Sequence, residues 1–186
     1  PKGVMKFMTE AGWTIGGMEI LFEGNIPNGA GLSSSASIEV LTGVIIDGLF
    51  GDGKIDRVLL AKLCQKAENQ FVGVNCGIMD QFAISAGAKG KTLLLKCDTL
   101  DYELGDFDLG EYELVIINTN KRRALNESKY NERRAECEAA LHDMAKADRK
   151  AYEYLCQISP EAFNRLRGSI TDCLLYTSPS PRDRTR

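Results

Sequence analysis

With 186 residues, 44% of them hydrophobic and 26% charged, the sequence has the composition of an ordinary soluble domain and room for a sizeable core. A net charge of −3 argues against nucleic acid as the main partner, and no apolar run approaches the ~20 residues that span a bilayer. The six cysteines (64, 76, 97, 137, 156 and 173) form no C-x-x-C pair and the only histidine is His142, which disfavours structural zinc and favours reduced thiols.

Residues 1–12 read as the last turns of a helix closed by Gly12. Gly17 to Gly24 alternates, with Met18, Ile20 and Phe22 on one face and Glu19 and Glu23 on the other, which predicts a half-buried strand. From about Ser34 to Phe50 the apolar positions 38, 41, 45 and 49 recur at helical spacing, and Gly48 with Gly51-Asp52-Gly53 closes that helix. A further helix runs from an Asp56 cap to about Phe71 and is expected to bury Leu59, Leu60, Leu63, Cys64 and Ala67. Gly73 to Gly77 is a glycine-rich turn, followed by a short helix through about Ala86. Residues 91–97 and 112–118 read as strands, the second buried on both faces, with the acidic segment 98–111 joining them. The longest helix is expected from Asn126 to about Lys150, with Tyr130, Cys137, Leu141 and Met144 on one face, and Ser159-Pro160 opens a short helix ending at Gly168. Strands and helices mix without strict alternation, so the class is α+β. From about residue 173 the apolar pattern stops, and 173–186 reads as a non-native or disordered tail; with no initiator Met at Pro1, the sequence is expected to be a fragment.

The stretch with most chemical content is Pro27-Asn28-Gly29-Ala30-Gly31-Leu32-Ser33-Ser34-Ser35-Ala36-Ser37. Glycines let backbone N–H groups approach an oxyanion, the following helix aims its unpaired N–H groups at the same place, and serine hydroxyls bond phosphate or a hard cation. A G-x-G-x-x-G dinucleotide loop is disfavoured because Ser34 stands at the third glycine position, and no Gly-Lys-Ser/Thr follows to make a standard Walker loop. A flexible linker is the plain alternative, against which the apolar positions resume at once with Ile38, Val40 and Leu41.

Other candidates carry their own plain readings. Glu68, in the last turn of its helix, opposes the helix dipole and invites a cation, or is an exposed carboxylate. Ser35 is a phosphate or metal donor, or a helix cap. Asp80 lies among Ile78, Met79, Phe82, Ala83 and Ile84, where an unpaired carboxylate is costly, or is a helix N-cap. Tyr130 is a hydrogen-bonding phenol or a core tyrosine. His142 lies off the apolar stripe and reads as surface, and Cys76 as a buried, inert thiol rather than a reactive one.

Three blocks in order, the Pro27–Ser37 loop, Gln65–Phe71 with Asn75–Phe82, and Ser128–Arg134, resemble the GHMP small-molecule kinases, and in particular their galactokinase branch, from about Gly16 to Met144. The resemblance implies a GHMP-kinase N-terminal domain (ribosomal S5 domain 2-like), incomplete, with only the start of a second, ferredoxin-like domain over residues 1–172. It implies a cytoplasmic, monomeric enzyme that transfers the γ-phosphoryl of ATP, with Mg²⁺, to the anomeric hydroxyl of galactose. Gly29, Ala30, Gly31, Leu32, Ser33, Ser34 and Ser35 would then line the ATP phosphates and Ser35 and Glu68 would hold Mg²⁺. Asp80 would be the general base or electrostatic positioner, with Gly77 and Tyr130 at the sugar. A non-catalytic sugar-and-ATP sensor, or an N-acetylgalactosamine or mevalonate kinase, shares the same blocks. The family's Gly-Glu-His-x-Asp-Tyr motif and its late glycine-rich motif have no counterpart here, so the 186 residues alone are expected to be inactive.

Overall fold

The computed structural model describes residues 1–27, 31–117 and 128–170, the stretch 128–130 by its backbone alone. The chain divides into two units, Pro1–Asn126 and Glu127–Arg186.

The first unit is built on three helices, α1 (Lys2–Glu10), α2 (Ser34–Phe50) and α3 (Arg57–Ala67). Helix α1 ends as expected, the chain turning out of it through Gly12 at φ 111°, a conformation that costs a residue with a Cβ dearly. Helix α3 starts at the expected cap, where Asp56 Oδ1 accepts from the Leu59 N–H at 2.8 Å. Val4, Phe7 and Met8 of α1 meet Val40 and Ile46 of α2 and Leu60, Leu63, Cys64 and Ala67 of α3 in one apolar cluster. Leu59, expected in this core, is 39% exposed.

The buried face of α2 is not the one its periodicity suggests. Ile38, Leu41 and Leu49 are exposed, while Ala36, Val40, Thr42, Gly43 and Ile46 face inward. A helix apolar on nearly all sides does not choose a face by hydrophobicity. Close approach chooses it here: a Cβ on Gly43 would stand 2.3 Å from Leu60 Cδ1, so the small residues mark where α3 crosses.

The expected strand at 17–24 does not form. Met18, Ile20 and Phe22 are half-buried and Leu21 and Glu23 exposed, so the alternation survives, but no described segment supplies ladder hydrogen bonds. After α4 (Met79–Ala86), β1 (Lys91–Leu95) pairs antiparallel with β2 (Tyr102–Asp106), in register from Lys91 opposite Asp106 to Leu95 opposite Tyr102. Strand β2 lies inside the segment read as a connection. Of residues 112–118, read as a doubly buried strand, 112–117 pair with no strand among the described residues and are exposed, with Tyr112 82% and Ile117 81% accessible, and 118 lies outside the described residues. Proximity explains the choice, since the short loop 96–101, with Leu100 at φ 63°, brings β2 back onto β1 at little entropic cost. Phe82 of α4 packs with Ala61 and Ile78 and meets the Tyr102 ring edge-on at 5.2 Å.

In the second unit α5 (Ser128–Asp148) and α6 (Pro160–Leu166) bury Ala140, Met144, Ile158, Leu166 and Ile170. Ser159 Oγ accepts from the Ala162 N–H at 3.2 Å, the cap expected before Pro160. Residues 173–186 lie outside the described residues.

Candidate functional site

The serine loop enters α2 through unusual backbone. Gly31 has φ 73°, and Ser33, with φ 54° and ψ 35°, occupies the left-handed region that a β-carbon disfavours. Ser33 is the N-cap of α2, yet its side chain makes no capping bond; its carbonyl accepts from the Ser37 N–H at 3.0 Å. The first turn of a 17-residue helix therefore keeps N–H groups for an acceptor from outside, at its positive end. Ser34 and Ser35 lie inside this turn and are half-buried, so the capping position belongs to Ser33 and not to Ser35. Leu32 is half-buried beside them, and Gly29 and Ala30 lie outside the described residues.

Glu68 opens a π-helical turn, Glu68–Val72, that continues α3. Its carbonyl accepts from both Gly73 N–H (3.0 Å) and Val74 N–H (3.1 Å), which draws the chain tightly around its Cα. The side chain is not the exposed carboxylate of the plain reading. Glu68 is 4% exposed, and its Oε2 has no hydrogen-bond partner among the described residues. A buried, unpaired carboxylate oxygen is costly unless a cation or donor completes it.

Two residues that the sequence reading did not single out surround it. Glu39 stands one turn after Ser35 on the same face of α2 and is 7% exposed, while Gln81 of α4 is 2% exposed. Gln81 Nε2 donates to Glu39 Oε2 at 3.3 Å, and Glu68 lies near enough to act on the Glu39 carboxyl. Burial first, then the neighbouring Glu68 and its charge, push the Glu39 carboxyl up to about 8, against an opposing pull from Gln81. The available signal was an acid between Ile38 and Val40, four residues after a candidate serine.

Cys76 joins the same cluster. Its thiol donates to Asn69 Oδ1 at 3.2 Å and receives Gln81 Nε2 at 3.7 Å, and its carbonyl accepts from Gln65 Nε2 at 3.2 Å. Cys76 is half-buried where burial was expected; desolvation, helped by Glu68, pushes its thiol up to about 11, which disfavours the reactive thiolate.

Asp80 occupies a different setting from the one anticipated. It is exposed in the first turn of α4, whose N-cap is Ile78, and is therefore neither desolvated nor the cap. Ile78 and Phe82 turn inward and leave Asp80 on the outer face, where a carboxylate gains from the positive end of the helix. Gly77 just before it has no atom within 4 Å of where a Cβ would project, so the backbone there is open to approach. Tyr130 lies in the first turn of α5, in the second unit, and its side chain lies outside the described residues. His142 is exposed, as expected.

A cavity of about 430 Å³ lies at the start of α1, lined among others by Lys2, Val4, Glu39, Ala67 and Phe71. Neither Ser35 nor Asp80 lines it. Among the described residues no group of three or more His, Cys, Asp or Glu is arranged to hold a metal ion, and no helix is long and apolar enough to cross a membrane. A hydroxyl and one carboxylate still suit Mg²⁺, which takes its other oxygens from phosphates and water, and the unpartnered Glu68 Oε2 fits that requirement.

The profile of the GHMP kinases N terminal domain matches residues 1–88, which hold the serine loop, Glu39, Glu68 and Asp80. The chain is 56% identical to the galactokinase of Clostridium tetani over 172 residues, 92% of this chain and 43% of that protein. It is 57% identical to the galactokinase of Exiguobacterium sibiricum over 141 residues, 75% of this chain and 36% of that protein. In structure it is similar to the Lactococcus lactis galactokinase crystallised with galactose, with a TM-score of 0.88 and 45% identity over 95% of this chain and 45% of that one. The chain thus spans less than half the length of these relatives. Helices and a small sheet in this arrangement are the α+β class expected. Residues 1–88 match the N-terminal domain of the GHMP kinases, and over most of its length the chain is similar to part of the galactokinases.

Proposed function

We propose that this chain supplies the nucleotide- and metal-binding half of a galactokinase, which transfers the γ-phosphoryl of ATP to the C1 hydroxyl of galactose and yields galactose 1-phosphate. The observation that carries this reading is the buried, unpartnered Glu68 Oε2, held against the helix that starts at the serine loop. The family and the galactokinase relatives supply the reaction class and the sugar.

Phosphoryl transfer needs a held polyphosphate, charge neutralisation and an oriented hydroxyl, and little covalent work from the protein. Gly29, Ala30, Gly31, Leu32, Ser33 and Ser34, with the open N–H groups of α2, bind and orient the phosphates. Ser35 and Glu68 would hold Mg²⁺, which would supply neutralisation of the charge on the transferred group. Asp80 accepts a hydrogen bond from the sugar hydroxyl, orienting it and receiving its proton, while Gly77 admits the sugar and Tyr130 contacts it. The enzyme acts as a cytoplasmic monomer on a small sugar and ATP, without nucleic acid or membrane.

The test is sugar-dependent ATP consumption by a chain extended to the relatives' full length. Turnover with galactose, abolished by omitting Mg²⁺, is the expected result. Binding of galactose and ATP without turnover would replace the enzyme by a sensor, and turnover restricted to N-acetylgalactosamine or mevalonate would replace the substrate.

A further inference from the structure

Gln81 has no part in the reaction as set out above, yet it follows Asp80 directly in the first turn of α4 and turns its side chain to the opposite, inner face. Helix α4 has eight residues, and its N-cap, Ile78, makes no side-chain capping bond. A helix of that length keeps its place through packing and bonds to its surroundings rather than through its own propensity. Two buried side chains, one turn apart, pin it. At the end that carries Asp80, the Gln81 amide donates to Glu39 Oε2 of α2 at 3.3 Å and to Cys76 Sγ at 3.7 Å. At the far end, Ser85 Oγ donates to the Arg57 carbonyl, at the start of α3, at 2.7 Å. Gln81 is 2% and Ser85 7% exposed, so neither bond is readily replaced by one to water.

We propose that Gln81 is a positioning residue for Asp80, whose amide fixes the first turn of α4 against the serine-loop helix and against the chain that enters Gly77. The proposal rests on the kinase reading for the role of Asp80. Its physical content is a donor, and Glu39 Oε2 is needed only as the oxygen that accepts. Asp80 shares a peptide bond with Gln81, so the bonds to Glu39 and Cys76 set where its carboxylate stands relative to the start of α2. A displacement of about 1 Å at a reacting group can cost about 10²-fold in rate. The sugar's other contacts lie outside α4, so the loss falls on kcat more than on the KM for galactose. Ser85 supplies a control on the same helix: it is buried and bonded to a neighbouring element, but it stands at the end away from Asp80.

The experiment compares wild type, Gln81→Met, Gln81→Asn and Ser85→Ala in the chain extended to the relatives' full length, with circular dichroism and the urea midpoint as checks on folding. The methionine keeps the length and loses the donors. The asparagine keeps the amide and falls one methylene short, and it carries the test if the methionine variant does not fold. All three changes should lower the urea midpoint, because each takes a partner from an acceptor. We expect kcat to fall about tenfold or more in both position-81 variants, with the KM for galactose within about threefold of wild type, and kcat to stay within about twofold in Ser85→Ala. Asp80→Ala combined with Gln81→Met should be no slower than Asp80→Ala alone, because a residue that acts through Asp80 then has nothing to position. Near-normal turnover in a folded position-81 variant, equal losses at 81 and 85, or losses that multiply in the double variant would each overturn the proposal. Hydrogen exchange reads the same clamp without turnover. The Phe82 N–H, bonded to the Ile78 carbonyl at 2.9 Å, reports the first turn of α4, and the Gly87 N–H, bonded to the Ala83 carbonyl at 3.0 Å, reports the last. Gln81→Met should speed exchange at Phe82 more than at Gly87, and equal acceleration at both also overturns the proposal. If wild type never consumes ATP with galactose while Phe82 responds in this way, the kinase reading fails and the clamp on α4 stands.

Discussion

Gln81 donates from α4 to Glu39 on α2 at 3.3 Å, and both side chains are buried. Buried polar groups persist where they are mutually satisfied, and here the satisfaction is incomplete: Glu68 Oε2 and Gln81 Oε1 have no partner among the described residues. A purely structural network would gain by replacing such groups with apolar ones.

The raised Glu39 carboxyl gives this chain, without metal, a specific pH signature. The folded state keeps the proton up to about 8, whereas the ordinary value is 4.5, so between them the folded state binds more protons than the unfolded one. Stability from this group is fully present below the ordinary value, falls as pH rises and is lost above about 8. The limiting slope is about 1.4 kcal/mol per pH unit. Urea unfolding at a series of pH values should show wild type losing stability relative to Glu39→Gln as pH rises across this window. Parallel curves would remove the proton from Glu39.

Asp80 makes a contrasting case, since its exposure at the first turn of α4 separates folding from activity. Asp80→Asn should change stability by less than about 1 kcal/mol, the scale of one helix-dipole interaction. In a chain of the relatives' full length, Asp80→Ala should lower kcat at least 10²-fold, as expected of a positioned acid–base group. Near-normal turnover would sink the assignment of Asp80.

How much of this was legible in the sequence depended on whether the deciding interaction was local. Helix starts at Asp56 and Ser159 were readable because a cap is a contact over three residues, and the serine loop because its glycines and hydroxyls are adjacent. The strand expected at 112–118 does not form over 112–117 because an apolar run states only that burial is favourable, whereas strand formation needs a partner. Tyr102 and Leu104, alternating with Glu103, had a nearer one in β1. Asp80 was misplaced because its apolar neighbours in sequence are Ile78 and Phe82, which turn away from it. Glu39 was overlooked because its hydrogen-bond partner, Gln81, lies far along the chain.

The reversed face of α2 can be tested by two truncations on one helix. Ile46 is fully buried against α1 and α3, and Leu49, three residues on, is 63% exposed. In this chain Ile46→Ala should destabilise by roughly 2–4 kcal/mol through lost burial and the cavity left behind. Leu49→Ala should stay within about 0.5 kcal/mol. Equal costs in chemical denaturation would restore the face that includes Leu49 to the core.

The second unit has its own titration signature, opposite in sign to that of Glu39. Asp148 accepts from the Tyr152 hydroxyl and, at 2.7 Å, from Arg165 Nη2, with Lys150 Nζ at 3.4 Å, and its side chain is 4% exposed. The Tyr152 bond first, then the Arg165 guanidinium, hold its carboxyl below the ordinary value of 3.8, against the effect of burial. The charged form is therefore favoured by folding, and its contribution is present above the ordinary value and lost as pH falls through the lower, folded one. Of the two positive partners Lys150 is local and Arg165 comes from α6, so protonation of Asp148 removes a tie between α5 and α6 while the first unit retains its Glu39 contribution. On acidification below about pH 4, helical circular dichroism of wild type should fall along a steeper curve than that of Asp148→Asn, which has no charge to lose. Identical acid limbs would show that the Asp148 cluster does not hold the second unit together.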